Sequence, residues 1–218
     1  MVLLSLLAAV AMSSTPSPPG QAHAPGSHGN PDDLTEYIAR LEDPARDAWQ
    51  KPDEVVKALA LEPGQTVCEI GPGPGYFTRR LARAVGPKGV VFAVEVEARL
   101  LDVLRERLTK AAISNVVPVL GAPSDPFVPK KSCDVILVVD TFHHFSDSTA
   151  YLARLAASLK AGGRIVNIDF HKRELPVGPP PDRKVSREAF LASAKAAGLK
   201  LVDEKSLLAY QYFIVLGL

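Results

Sequence analysis

The sequence predicts an α/β fold. A doubly wound, mostly parallel sheet of seven strands is covered by helices on both faces, in three α/β/α layers, and closes in a C-terminal antiparallel hairpin. Three observations lead there. From residue 62 onward, short apolar runs rich in valine, leucine and isoleucine alternate with amphipathic stretches of helical period, the order of a parallel sheet wrapped on both sides. The run CDVILVVD at 133–140 shows no polar alternation, as a strand covered on both faces should. The last two strand-like runs are joined by about two residues, too few for a parallel crossover, so they pair as a hairpin with one strand reversed.

Each element follows in turn. A helical cap is expected at 34–61. Its LTEYIARLED segment sets Leu34, Tyr37, Ile38 and Leu41 at helical spacing, and a second helix runs over about 52–60 with Pro52 in its first turn. The main domain, 62–218, begins with the buried strand TVCEI at 66–70. YFTRRLARAVG follows as a helix on Phe77, Leu81, Ala84 and Val85, stopped by Gly86. VVFAVE (90–95) is the second strand, ARLLDVLRERL a helix on Leu101, Leu104 and Leu108, and VVPVL (116–120) the third strand. After the strand at 133–140, a helix over about 147–159 ends at Gly162 and Gly163, and RIVNIDF (164–170) is the fifth strand. Ser186 caps REAFLASAKAAG, which stops at Gly198, and the closing strands are 199–207 and 210–218. Residues 171–185, rich in proline, form a long loop of the kind that serves as a lid or substrate wall.

Composition narrows the function. The chain has 218 residues, 47% of them hydrophobic, and 25 basic against 24 acidic side chains for a formal net charge of +1. That is one globular domain with a short extension, and the balance gives no electrostatic footprint for nucleic acid or an anionic membrane. Cys68 and Cys133 are too few for a disulfide framework or a four-cysteine zinc site and lie in strand-like runs, so they are expected as buried small hydrophobes. No metal site is indicated. Residues 1–24 read as a leader whose apolar run is too short to span a bilayer, and which resembles a secretory signal lacking a basic start. With cleavage the protein is exported, to the periplasm or beyond; otherwise it is cytoplasmic. Residues 25–33 read as a disordered linker.

The most informative stretch is VCEIGPGPGYFT at 67–78. Doubly wound sheets bind ligands outside the carboxyl ends of their strands at the switch point, where this turn falls. The spacing Gly71, Gly73, Gly75 is not the G-x-G-x-x-G of a dinucleotide site, since Tyr76 stands where the third glycine belongs, and there is no P-loop lysine. Glu69, two residues before the first glycine, would repel a pyrophosphate but suits a cation. A cationic nucleoside such as S-adenosylmethionine needs a second acid for its ribose diol, and Glu95 stands at the end of the second strand.

On these residues the chain resembles the class I S-adenosylmethionine-dependent methyltransferases, which have a Rossmann-like sheet, over roughly 50–218. It is similar in particular to bacterial small-molecule enzymes of the methyltransferase-domain type. EIGPGPG resembles the family's first motif, VFAVE its second, and LKAGGRIVNIDF its fifth-strand segment. The resemblance implies that Glu69, Gly71, Pro72, Gly73 and Gly75 underlie the methionine part. It implies that Glu95, with Val96, holds the ribose, and that the GAPSD stretch at 121–125 flanks adenine. One departure is Ala122, where many members have an aspartate; Asp125, Ser124 or backbone groups take its place. Residues 49–52, WQKP, look like a segment that lies across the cofactor or like a plain helix start.

DTFHHF (140–145) follows the fourth strand, where loops face the transferred methyl. His143 and His144 are the candidate bases, His143 first. Asp140 is placed at the cofactor or on loop backbone, and His171, Tyr210 and Tyr212 are candidates for substrate contact. A relay of cysteine thiolates for arsenic is disfavoured by two strand-bound cysteines. The expected activity is methyl transfer to a small-molecule acceptor by in-line displacement, by a monomer or homodimer. Two alternatives stand beside it. One is a binding protein that keeps the cofactor site without catalysis, which export would favour because the cofactor is made in the cytosol. The other is a nicotinamide-dependent oxidoreductase, against which Tyr76 and the hairpin argue.

Overall fold

The structure, a computed structural model, describes residues 33–218. The leader at 1–24 and the linker up to 32 lie outside the described residues. Asp33 is no linker residue: its carboxylate accepts the Thr35 N–H at 2.7 Å and caps the first helix.

Three short helices come first: α1 (Leu34–Leu41), α2 (Arg46–Gln50) and α3 (Pro52–Ala58). Then follow β1 (Thr66–Ile70), α4 (Thr78–Val85), β2 (Val90–Glu95), α5 (Ala98–Lys110), β3 (Val116–Leu120), β4 (Cys133–Val139), α6 (Ser148–Ser158), β5 (Leu159–Phe170), α7 (Arg187–Ala196), β6 (Lys200–Lys205) and β7 (Gln211–Gly217). One 7-stranded sheet has the order β3-β2-β1-β4-β5-β7-β6. β7 runs antiparallel between β5 and β6, and the other pairings are parallel. The order reverses between β1 and β4, which opens the crevice where ligands bind in this architecture.

Side chains alternate between two cores. Cys68, Ile70, Ile136, Val138, Ile165 and Ile214 pack toward α6 and α7, with Leu152, Leu155 and Phe190 facing them. Val67, Val91, Val135, Leu137, Val166 and Phe213 pack toward α3 and α4, on Val55, Leu59, Leu81 and Val85. A smaller cluster of Ala93, Leu101, Leu104 and Leu108 seats α5. Each such aliphatic side chain, fully buried, contributes about 2 kcal/mol by leaving water.

Four sequence expectations are corrected. α2 was not anticipated; it is a single turn with no apolar period, and Arg46 holds it by donating to Leu41 O at 2.8 Å. No glycine stop separates α6 from β5. The helix ends at Ser158 and the strand starts at Leu159, which pairs with Cys133. Gly163 lies inside that strand, where an added Cβ would stand 3.0 Å from Cys133 O. The β6–β7 connection is longer than expected, 206–210, because Leu208 turns inward to 6% exposure. Finally, Cys68 and Cys133 form a disulfide with Cα atoms 5.9 Å apart. It ties β1 to β4, and both residues are fully buried.

Candidate active site

The switch point is built from the carboxyl ends of β1, β2, β4 and β5. β1 delivers the glycine turn, but the reason for its glycines is divided. A Cβ at Gly71 would stand 2.3 Å from Thr141 Oγ1, and one at Gly75 would stand 2.6 Å from Leu104 Cδ1, so those two positions are bare because the protein itself packs there. Gly73, at φ +53, has only Leu41 Cδ1 of α1 nearby, 3.3 Å from an added Cβ. It is the glycine of the turn whose nearest neighbour is only the tip of a flexible side chain.

The donors of the turn are already engaged. Gly71 N–H donates to Val94 O at 2.9 Å and Gly75 N–H to Pro72 O at 3.0 Å. Gly73 N–H donates to Glu95 Oε2 at 3.1 Å. A diphosphate would find none of these three N–H groups to cradle it. Two buried carboxylates flank the turn instead. Glu69, 4% exposed, accepts from Thr78 Oγ1 at 2.6 Å. Burial drives its pKa up to about 7, against the lowering effect of the Thr78 bond. Glu95, 6% exposed, also accepts Val96 N–H at 2.8 Å and Glu97 N–H at 3.1 Å, and burial raises its pKa. Three of its roughly four acceptor sites are filled by backbone. Acids, a bare Gly73 and inward-turned donors fit a cationic nucleoside.

The cap covers this site. Leu41 lies over Gly73, and Tyr37 lies within the field of Glu95. Glu42 pairs with Arg79 at 3.6 Å and also with Arg107, which pins α1 to α4 and α5. Arg46 sits 4.3 Å over the Tyr76 ring and 3.5 Å from Asp140. The Tyr76 hydroxyl bonds Asp47. Of the WQKP segment, Trp49 packs on Phe170 at 5.5 Å, and Gln50 Nε2 donates to Gln211 Oε1 at 2.7 Å.

Beyond β4 the chain turns sharply at Asp140, φ 50, into a short 3-10 turn, Phe142–His144. Among the described residues, no loop backbone group bonds the Asp140 side chain. Its carboxylate accepts from Gln211 Nε2 at 2.6 Å and faces Arg46. Burial and the neighbouring Asp169 lift its pKa to about 7. His143 Nδ1 lies 3.3 Å from Asp169 Oδ2 of β5, and Asp169 is fully buried. A carboxylate only accepts, so Nδ1 of neutral His143 carries the proton and Nε2 keeps the lone pair. Burial lowers the His143 pKa, but the Asp169 bond and the charges of Asp169 and Asp140 outweigh it and raise the value. The His144 ring packs 4.2 Å from that of His143.

The remaining candidates divide. Val96 and Ala122 lie at the ends of β2 and β3, and the Ala122 N–H donates to Asp125 O at 2.7 Å. Asp125 is directed elsewhere: its carboxylate pairs with Arg154 at 2.8 Å and accepts the Phe127 N–H. His171 N–H donates to Tyr210 O at 3.0 Å, while burial and Arg173 lower the His171 pKa. Tyr212 does not reach the surface. It is 2% exposed and 6.0 Å from the Phe190 ring, with its hydroxyl buried beside Asn167, so it is a core residue and not a substrate contact. Asp169 was missed in the sequence. The signal was Asn167 and Asp169, two polar residues spaced by two on an otherwise apolar strand.

Comparison with known proteins bears on the family and the fold. Residues 67–163 match the methyltransferase domain family. The chain is 29% identical over 123 residues to the ubiquinone/menaquinone biosynthesis C-methyltransferase UbiE of Bordetella parapertussis, covering 56% of this chain and 47% of that one. It is 30% identical over 159 residues to the Vibrio vulnificus UbiE, covering 72% and 58%. The chain thus spans about half the length of these curated relatives. The crystal structure of a SAM-dependent methyltransferase from Aquifex aeolicus superposes with a TM-score of 0.79 at 27% identity, covering 83% of this chain and 96% of that one. With its glycine turn between two buried acids and a reversed β7, the chain is similar to S-adenosylmethionine-dependent methyltransferases in its domain at 67–163 and in its fold.

Proposed function

We propose that this protein transfers the methyl group of S-adenosylmethionine to a small-molecule acceptor. The bound cofactor supplies a methyl carbon made electrophilic by its sulfonium; binding, orientation and proton handling fall to the protein. Gly71, Pro72, Gly73 and Gly75 give the cofactor a bare seat, Glu69 sets the charge beneath it, Glu95 holds the ribose, and Val96 and Ala122 flank it. Asp140 holds the cap in place through Arg46 and Gln211. His143 Nε2 takes the acceptor's proton where the nucleophile carries one, and Asp169 orients the ring for that task. His144 packs beside it with its ring tilted, and His171 and Tyr210 border the acceptor side. The Cys68–Cys133 disulfide supports the exported alternative for the leader, because disulfides persist in oxidising compartments.

The observation that carries the reading is the Glu69–turn–Glu95 arrangement, in which the N–H groups of the three glycines point into the protein. Isothermal titration with S-adenosylmethionine, S-adenosylhomocysteine and NAD tests it. The first two are expected to bind and NAD not to; tight NAD binding with no response to the others would reject the assignment.

A further inference from the structure

We propose that a cleft beside the cap is the acceptor site, and that it takes an apolar molecule bearing one anionic group. This rests on the methyltransferase reading above. The cleft, about 520 Å³, lies between the α2–α3 junction, the proline-rich loop and the β6–β7 turn. Trp49, Pro176, Val177, Leu208 and Tyr210 give it apolar walls, and Lys51 stands among them.

The walls are held in place. The Trp49 ring packs on Phe170, the last residue of β5. The proline-rich loop is anchored against the same ring: a Cβ on Gly178 would stand 2.6 Å from it. Lys184, 3% exposed, lies 5.7 Å over that ring and donates to Arg173 O at 2.8 Å. A loop fastened this way presents Pro176 and Val177 as a fixed surface.

The cleft adjoins the reaction centre through chain connectivity. Trp49 and Tyr210 line it, and their successors Gln50 and Gln211 form the wall behind, bonded to each other at 2.7 Å. Gln211 in turn bonds Asp140, at the carboxyl end of β4, at 2.6 Å. The Gln50–Gln211–Asp140 hydrogen bonds thus link the lining of the cleft to the carboxyl end of β4.

The charge is of one sign. Among the described residues, no carboxylate lines the cleft, nor the smaller hollow of His171, Lys172 and Arg173 beyond Tyr210. Lys51 has Glu54 as an ion-pair partner, but at 3.6 Å with side chains 38% and 58% exposed. A pair so solvated is worth little and yields readily to a ligand anion. Apolar walls with a cation among them recognise an amphipathic acid.

Trp49 is the only tryptophan of the chain, so its emission reports this cleft. The full chain, saturated with S-adenosylhomocysteine, is titrated with octanoate and with uncharged octanamide. Octanoate should change Trp49 emission saturably and bind about fivefold more tightly than the amide, the worth of one partly solvated ion pair. Lys51→Gln should remove that preference. Val177→Asp should abolish the response to both while calorimetry shows S-adenosylhomocysteine still bound. The proposal is overturned if neither probe gives a saturable change, if the amide binds as tightly as the acid, or if octanoate displaces S-adenosylhomocysteine. Wild-type protein that fails to bind S-adenosylhomocysteine counts against the methyltransferase reading instead, and the octanoate titration alone then reads the cleft.

Discussion

Reducing the Cys68–Cys133 disulfide should cost most of what a small domain can spare. The bridge closes a loop with a sequence separation of 65. Loop-closure entropy for that length is about 14 cal/mol/K, or about 4 kcal/mol at 25 °C. β1 and β4 are already hydrogen-bonded neighbours, so the bridge adds little to the native state and acts chiefly by restricting the unfolded chain. With a urea slope of about 2 kcal/mol/M, the midpoint should fall by about 2 M. The assay is equilibrium urea unfolding with and without reductant, which leaves the side chains unchanged. A Cys68→Ala/Cys133→Ala variant serves as control and should not respond to reductant. Coincident wild-type midpoints under the two conditions would refute the reasoning. So would two free thiols titrated in unfolded, unreduced protein.

Three further outcomes follow from the site. Glu69 binds its proton more tightly folded than unfolded, its pKa rising from 4.5 to about 7, so its contribution to stability falls as pH rises through that window. Glu69→Gln should therefore gain stability relative to wild type by about 1 kcal/mol per pH unit across it, read by thermal unfolding at pH 5 and pH 8; a pH-independent difference contradicts this. Asp169→Asn should lower the His143 pKa by removing the contacts that raise it, leaving the charge of Asp140 still acting on the ring. NMR titration of the histidine ring protons checks it, and an unmoved His143 resonance would mean the dyad is only a contact. Glu95→Ala should weaken S-adenosylhomocysteine binding by about 1–3 kcal/mol and also lower the melting temperature, because three N–H groups lose their acceptor; unchanged affinity would place the ribose elsewhere.

Much of the fold was legible because a parallel sheet covered on both faces demands unbroken apolar runs, and TVCEI, VVFAVE and CDVILVVD could be little else. The place and type of Glu95 were legible for the same reason: it ends a strand. That its carboxylate ties down Gly73 was not, since the bond joins residues 22 apart in sequence. α2 escaped because tertiary contacts of Arg46, and no local period, hold it. The disulfide escaped because it depends on which strands lie side by side: β4 follows β1 by more than sixty residues yet is its neighbour in the sheet. The glycines were read as space for a ligand. Two of the three are space for Thr141 and Leu104, which a linear sequence does not reveal.

The most direct measurement is a crystal structure with S-adenosylhomocysteine. The account predicts the nucleoside against Gly73 beneath Leu41, with a ribose hydroxyl on the remaining acceptor site of Glu95 and its amino-acid end over the turn above Glu69. An empty turn in the presence of saturating ligand, or a diphosphate bound there in its place, would contradict it.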